Sequence, residues 1–94
     1  MAFQKISETE VMSEDGHRIK VGPLALSYIQ GSRYLTVPVE HRGQPPEIRV
    51  HLAQASRWME YGQPCDTEGT LSLVWLRVQI GEALKVLGQP FSFD

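Results

Sequence analysis

Cysteine is almost absent from this chain, which has only Cys65 among its 94 residues. A single thiol cannot form an internal disulfide, and no second cysteine stands near it to build a zinc site. No window approaches the roughly 18 apolar residues that would span a bilayer. The first residues, MAFQKISETEV, lack the basic head and the apolar stretch of a signal peptide. Together these absences predict a protein of the reducing cytoplasm with no membrane partner.

Net charge is also small, because nine Lys and Arg residues nearly balance eleven Asp and Glu residues to give −2. So small an imbalance does not indicate binding to nucleic acid through bulk electrostatics. Four basic residues are candidates for a patch on one face of a sheet: Arg18, Lys20, Arg33 and Arg49. Nucleic-acid surfaces usually combine such charges with exposed aromatic rings, and only Tyr34 is expected beside these four. We therefore expect no nucleic-acid partner.

The composition is that of an ordinary globular protein, with 41% hydrophobic and 21% charged residues. Ninety-four residues are enough to bury one hydrophobic core without disulfides or metals. The chain contains no internal repeat, no low-complexity tract and no linker that would separate two domains. We therefore predict a single domain over residues 1–94.

Turn signals at regular spacing predict about five antiparallel strands in the first two thirds of the chain. The clearest strand is EIRVHL, in which the apolar Ile48, Val50 and Leu52 alternate with polar residues. Pro38 predicts an edge strand or a bulge, because proline has no N–H to donate to a ladder. Two-residue turns are predicted at Asp15-Gly16 and Gly31-Ser32. The predicted strands cover residues 3–12, 17–21, 24–30, 33–40 and 47–52.

The end of the chain changes to a helical period. Its apolar stripe consists of Leu73, Leu76, Ile80, Leu84 and Leu87. Steps of three and four residues predict one long helix with this stripe facing the core. Asp66 or Thr67 is the predicted N-cap, and Glu68 suits the first turn through the helix dipole. Gly88 followed by Pro90 predicts where the helix ends.

The predicted fold class is α+β, with an antiparallel meander of about five strands and one long C-terminal helix packed on one face of the sheet. Gly81 lies inside the helix at a cost of about 1 kcal/mol relative to alanine, and we attribute it to a close approach of the helix backbone to the sheet. Trp75 lies off the leucine stripe, so it is either buried by a wide helix face or used for another contact.

Catalytic chemistry has few candidates. His17, His41 and His51 do not stand at metal-ligand spacing, so solvated histidines are the simplest interpretation. Alternation places Glu47, Arg49 and His51 on one face of a strand, where they could form an acid–base row. The solvent face of an antiparallel sheet predicts the same row without any catalysis. We therefore predict no enzymatic activity, no metal and no cofactor.

The segment RWMEYGQPCDTEG combines large aromatic residues with acidic ones. Aromatic side chains serve as anchors in protein interfaces, and acidic residues steer a basic partner towards them. The candidate binding residues are Trp58, Met59, Glu60, Tyr61, Asp66 and Glu68.

The order of these elements resembles the small immunity proteins of bacterial polymorphic-toxin and contact-dependent inhibition systems. The resemblance covers about Gly22 to Gly88 and rests on Ile48 and Val50 in IRVHLAQASRW, Trp58, Pro64 with the cap after it, and the helix stripe that ends in Ala83-Leu84. The chain departs from that pattern at Met59-Glu60-Tyr61 and in the apolar stretch TLSLVWL. The resemblance implies a cytoplasmic protein without catalytic activity that binds a cognate toxin, often a nuclease, and blocks its active site.

Three hypotheses follow from the sequence. The first is an immunity protein that neutralises a toxin. The second is a homo-oligomeric structural or regulatory domain, possible as a homodimer, which self-associates through an edge strand at Pro38 or through Trp75 and the free helix face. The third is a small enzyme that uses His51 with Glu47, and the lack of an accompanying nucleophile or metal site makes it the weakest.

Overall fold

The computed structural model describes residues 3–44, 46–64 and 72–93. These ranges contain nine β-strands, one α-helix and a short 3-10 helix at Leu52–Gln54. The strands are β1 Phe3–Lys5, β2 Glu10–Ser13, β3 Arg18–Val21, β4 Ala25–Gln30, β5 Arg33–Arg42, β6 Glu47–Val50, β7 Met59–Glu60, β8 Gln63–Pro64 and β9 Phe91–Phe93. The helix, α1, spans Leu73–Leu87. The α+β class and the C-terminal helix are confirmed, whereas the predicted number of about five strands is too low.

The sheet is a curled antiparallel meander from β1 to β6, completed by β9, which lies parallel to β6. The small β7–β8 hairpin attaches to the start of β5. Along the meander each strand is joined to the next by a short turn, as the regular turn signals indicated. The parallel strand β9 was not predicted, although Phe91-Ser92-Phe93 alternates after the helix has ended.

The predicted strand over residues 3–12 is in fact a hairpin. Phe3 pairs with Ser13 and Lys5 with Val11, so the chain reverses between them. The carbonyl of Glu10 accepts hydrogen bonds from the N–H groups of both Ile6 and Ser7, at 3.0 and 3.2 Å. Residues 6–9 therefore form the turn between β1 and β2 and are not part of a single long strand.

Pro38 does not lie on an edge strand, so the first of the two predicted alternatives, an edge strand or a bulge, is wrong. β5 is central, with β4 on one side and both β6 and β7 on the other. The N–H of His51 donates to the carbonyl of Pro38 at 2.9 Å, which places Pro38 where β6 has just ended. The hydrogen bond that proline cannot make therefore falls in the gap between two short partner strands.

The core lies between the inner face of the curled sheet and α1. Alternate strand residues point inward, and the fully buried ones include Val11, Ile19, Leu26, Leu35, Val37, Ile48 and Val50. Leu76, Ile80 and Leu84 of α1 are also fully buried, which confirms most of the predicted leucine stripe. Burial of such side chains is worth about 1.5–3 kcal/mol each, so this interface dominates the stability of the fold.

The helix begins at a different cap from the one predicted. Ser72 is the N-cap, and its Oγ accepts a hydrogen bond from the N–H of Trp75 at 3.2 Å. The predicted caps Asp66 and Thr67 lie outside the described residues. The end is as predicted: Gly88 has a left-handed φ of 70°, and its N–H donates to the carbonyl of Lys85.

Gly81 is buried against β9, but not in the manner expected. A Cβ atom built on Gly81 would lie 3.8 Å from the ring of Phe91, which is an ordinary contact distance. The helix therefore does not need glycine here to approach the sheet. Arg77, one turn earlier, stacks over the ring of Phe93 at 5.1 Å and also ties α1 to β9.

Within the described residues, no helix has the length and apolar character that crossing a membrane requires.

Candidate partner-binding site

The segment Met59–Pro64 forms a tight hairpin that its sequence did not lead us to predict. Glu60 pairs with Gln63, so the turn consists of Tyr61 and Gly62 alone. Both turn residues have positive φ, 52° and 79°. Two consecutive left-handed residues define a type I′ turn, whose twist matches the strands that it joins. Glycine at the second turn position is the signal that could have identified the hairpin.

Tyr61 stands at the tip of this hairpin and is 86% exposed. It is the only described non-glycine residue with positive φ. Asparagine, aspartate or glycine is usual at this position of a type I′ turn, and another L-residue in the left-handed region costs about 1–2 kcal/mol. The fold therefore presents a large aromatic ring to solvent from a backbone position that disfavours it.

The hairpin is held on the start of β5. Arg33 and Tyr34 pair with Glu60 and Met59. The hydroxyl of Ser32 donates a hydrogen bond to the Glu60 carboxylate. These contacts fix β7 as a continuation of the main sheet, so the turn projects from a supported base.

Trp58 enters the edge of the core immediately before the hairpin. Its ring meets that of Tyr28 edge-to-face, with centroids 5.8 Å apart and planes at 86°. Trp75 of α1 contacts the same tyrosine at 5.3 Å. Such pairs contribute about 0.5–1.5 kcal/mol beyond the area that they bury. The cluster therefore joins the sheet, the hairpin and the helix around one ring.

Tyr28 itself is fully buried, and its hydroxyl lies 2.9 Å from Nδ1 of His17. Burial, with a smaller contribution from the negative charge of Asp15, raises the pKa of Tyr28 to about 12. The hydroxyl is thus neutral and acts as a structural hydrogen-bonding group. His17, predicted to be solvated, is half-buried against this ring.

Comparison of the chain with family models, with curated proteins and with solved structures finds no match.

The structure separates the predicted binding residues into different environments. Trp58 is half-buried and packs on the core, and Met59 and Glu60 are half-buried in β7. Tyr61 alone of these four is fully presented to solvent. Asp66 and Glu68 lie outside the described residues. Because Glu60 accepts a hydrogen bond from Ser32, it belongs to the support of the hairpin as much as to its surface.

An apolar surface on the first turns of α1 lies at the same end of the molecule as Trp58, because Trp75 shares the contact with Tyr28. Trp75 is 36% exposed, and Val74 and Val78 are more exposed still. We call Val74, Trp75 and Val78 the helix patch. Helices that pack on a sheet usually carry polar residues on the outward face, so three neighbouring exposed apolar residues are unusual at this position.

The predicted acid–base row of Glu47, Arg49 and His51 lies beside Glu40 and Arg42 of β5. His51 donates from Nε2 to Oε1 of Glu40 at 3.0 Å, and Arg42 donates from Nε to the other carboxylate oxygen at 2.7 Å. One partner of His51 is thus a residue of β5, and Glu47 pairs in backbone register with Arg42 of the same strand. The bonds from Arg42 and then His51 lower the pKa of Glu40. This arrangement orients an imidazole on the outer surface of the sheet.

Metal-ligand geometry is a separate question. In the part of the chain that the structure describes, no three His, Cys, Asp or Glu residues come together in a group that could hold a metal ion.

The residues of the candidate basic patch lie on different strands. Arg18 on β3 pairs with Glu10 at 3.3 Å, whereas Arg49 lies on β6, and strands β4 and β5 separate β3 from β6.

Proposed function

We propose that this chain is a protein-binding module that acts as an immunity protein, and that the tip of the β7–β8 hairpin is its principal contact. The observation that carries the proposal is Tyr61, 86% exposed and held with positive φ at a supported turn. Interface hot spots are enriched in tyrosine, tryptophan and arginine, because a rigid ring buries a large area with little loss of rotamer entropy. Because the hairpin holds the backbone of Tyr61, the ring is presented to a partner before binding.

The surroundings of the tip give a second reason for the proposal. Trp58 fastens the base of the hairpin to Tyr28, and the helix patch extends the apolar surface at the same end of the molecule. A preorganised contact loses less conformational entropy on association than a mobile loop would lose. The hairpin therefore supplies the anchor, Trp58 its support, and the helix patch additional area for the partner.

The nature of the partner is inferred from the resemblance to immunity proteins of toxin systems. Several residues that carry this resemblance, such as Ile48, Val50 and Leu84, are buried in the core and therefore concern the fold. The hairpin tip is where the chain departs from the pattern, and a surface that varies within a family suits recognition of one cognate partner. On this proposal the partner is a bacterial toxin domain whose active site is blocked, with no catalysis by this chain.

The direct test is the substitution Tyr61→Asn, assayed by calorimetric titration against the toxin domain encoded beside this gene. Asparagine is preferred in type I′ turns, so the hairpin should persist or gain stability while the ring is lost. Truncation of a central aromatic anchor costs about 2 kcal/mol or more, which corresponds to a loss of affinity of roughly 30-fold.

The matched control is Leu24→Asn, which removes another exposed apolar side chain, 81% exposed, away from the hairpin. It should bind with wild-type affinity. Equal affinity of wild type and Tyr61→Asn would show that the tip is not the anchor. If no neighbouring gene product binds the wild-type protein, the toxin assignment itself is wrong.

A second candidate function, a homo-oligomeric interaction domain, is favoured by the helix patch. The edge strand at Pro38 no longer supports it, because β5 is central, so the patch is the remaining surface for self-association. Sedimentation equilibrium at about 10–100 μM distinguishes the two functions. A dimer that Val78→Glu converts to a monomer would support self-association, and a wild-type monomer over this range would exclude a stable dimer.

A further inference from the structure

A cleft of about 250 Å³ opens at the far end of β5 from the hairpin. Its walls come from the β1–β2 turn, the β3–β4 turn, the ends of β5 and β6, and the C-terminal end of α1. His41 at the cleft is eight residues from Arg33 beside the hairpin, which corresponds to roughly 26 Å along an extended strand. The cleft is therefore a separate site, and what it binds does not depend on the function proposed for the hairpin.

The floor of the cleft is apolar. Val21, Ile48 and Leu87 line it, and Pro23 forms one side. These side chains belong to the inner face of the sheet and to α1, so the cleft is the open mouth of the core. Typical small-molecule sites occupy about 300–1,000 Å³, so this one suits a short aliphatic chain better than a large ligand.

Three side chains at the rim offer hydrogen-bond acceptors, and the hydroxyl of Thr9, which also lines the cleft, can donate or accept. His41 lines the cleft, and its Nε2–H donates to the carbonyl of Gly22 at 3.2 Å. In the tautomer that donates from Nε2, Nδ1 is left as an acceptor. Glu8 also lines the cleft, and an ionised carboxylate can only accept.

Gln89 adds a third acceptor for a specific reason. Its Nε2 donates to the carbonyls of Pro46 and Pro90, both at 3.1 Å, which uses both N–H bonds of the side-chain amide. The remaining polar atom, Oε1, accepts. The C-terminal end of α1 lies beside it, and the carbonyl ends of helices favour cations.

We propose that this cleft binds an aliphatic ammonium group, with the alkyl stem on the apolar floor and the charged head among the acceptors of Glu8, His41 and Gln89. The head would be a donor with positive charge, which suits a rim that is rich in acceptors and carries the Glu8 carboxylate. Lys5 supports this assignment, because its Nζ already lies 3.4 Å from the Glu8 carboxylate on the exposed side. A ligand ammonium group would compete for the same carboxylate. Both a free alkylamine and the lysine side chain of another protein carry this chemistry.

The test is a titration of the ¹⁵N-labelled protein, followed by ¹H–¹⁵N NMR, with n-butylammonium chloride. The proposal expects saturable shifts of the amide signals of Gly22, Ile48 and Gln89. The neutral isostere n-butanol should bind at least about fivefold more weakly, because it lacks the charge. Equal affinity for the two compounds, or no saturation up to about 50 mM butylammonium, would overturn the proposal.

Two variants and one further ligand sharpen the result. Glu8→Gln removes an exposed charge without disturbing the core and should weaken butylammonium binding by about two- to fivefold, the range expected for an exposed ion pair. The matched control Glu14→Gln, at the opposite end of β2, should leave it unchanged, and equal weakening in both variants would contradict the site. N-acetyl-lysine methylamide then distinguishes the sources: tighter binding than butylammonium assigns the cleft to a lysine side chain, and weaker binding assigns it to a free amine.

Discussion

At the scale of single residues, Gly22 is where the backbone leaves no room for a side chain. A Cβ atom at this position would lie 2.9 Å from the carbonyl oxygen of Ala25. The same oxygen accepts a hydrogen bond from the N–H of Gly22 at 2.9 Å, so it cannot move away without breaking the turn. The β3–β4 connection therefore depends on glycine for steric reasons.

We expect Gly22→Ala to lower the free energy of unfolding by about 1–3 kcal/mol, because the methyl group forces this turn apart. Urea unfolding followed by circular dichroism measures the change. The control is Pro23→Ala at the next position, which adds no atoms to the turn. A Gly22→Ala protein as stable as wild type would mean that the turn relaxes at little cost.

At the scale of elements, α1 contains a glycine that the fold does not require. Gly81→Ala would place a methyl group in ordinary contact with the Phe91 ring, at 3.8 Å, and would remove the helix penalty of glycine. We expect the free energy of unfolding to rise by about 1 kcal/mol. Thermal unfolding should show a higher midpoint, and a lower one would mean that the helix and β9 are packed more tightly than this distance indicates.

The β7–β8 hairpin depends on Trp58 in the same way that α1 depends on its leucine stripe. Trp58→Ala removes the edge-to-face contact with Tyr28 and opens the core edge, so we expect a loss of about 2–3 kcal/mol in urea unfolding. Trp58→Phe should recover more than half of that loss because a ring remains. A Trp58→Ala protein of wild-type stability that had lost partner binding would instead make Trp58 an anchor in its own right.

Elements with strong local signals were predictable from the sequence. The alternation of Ile48 and Val50 and the helix stripe from Leu76 to Leu84 both depend on burial, which leaves a periodic record in the chain. The first hairpin was missed because its residues are mostly polar. Pro38 was assigned to an edge because proline cannot donate a ladder hydrogen bond. In this sheet the missing bond falls in the gap between the partner strands β6 and β7, so proline is tolerated in the central strand β5.

The candidate site was predictable only in part, for a related reason. The concentration of aromatic residues from Trp58 to Tyr61 marked a segment that the structure divides into a core contact and an exposed hairpin tip. Whether Trp58 or Tyr61 is buried depends on the two-residue turn at Tyr61 and Gly62. Tyrosine is unusual at the first position of such a turn, so the sequence did not indicate it. The contact of Trp58 with Tyr28 joins residues 30 positions apart, and no local pattern encodes such a contact. The composition of the segment therefore indicated its aromatic rings but not which ring is buried and which is exposed.

At the scale of the whole molecule, Tyr28 links three parts of the fold. Its ring contacts His17 after the β2–β3 turn, Trp58 before the hairpin and Trp75 on the helix. A charge on this phenol would have to be buried among all of them. Ionisation of one side chain should therefore affect the stability of the entire fold.

The sign of the effect follows from the pKa. Because burial raises the pKa of Tyr28 from its ordinary value near 10 to about 12, the folded protein holds this proton more tightly than the unfolded chain does. The contribution to stability is complete below about pH 10 and is lost as the pH rises through 12. A difference of about two pKa units corresponds to about 2–3 kcal/mol.

Urea midpoints at about pH 9 and pH 11.5 test this linkage when wild type is compared with Tyr28→Phe. The variant should lose about 1 kcal/mol at pH 9, where its hydrogen bond to His17 is missing. It should then lose less additional stability than wild type on the way to pH 11.5, because it has no buried phenol to ionise. Tyr34→Phe keeps Tyr28 and should follow wild type. Parallel losses in wild type and Tyr28→Phe would mean that other groups govern alkaline unfolding, and that the central ring stabilises the fold by packing alone.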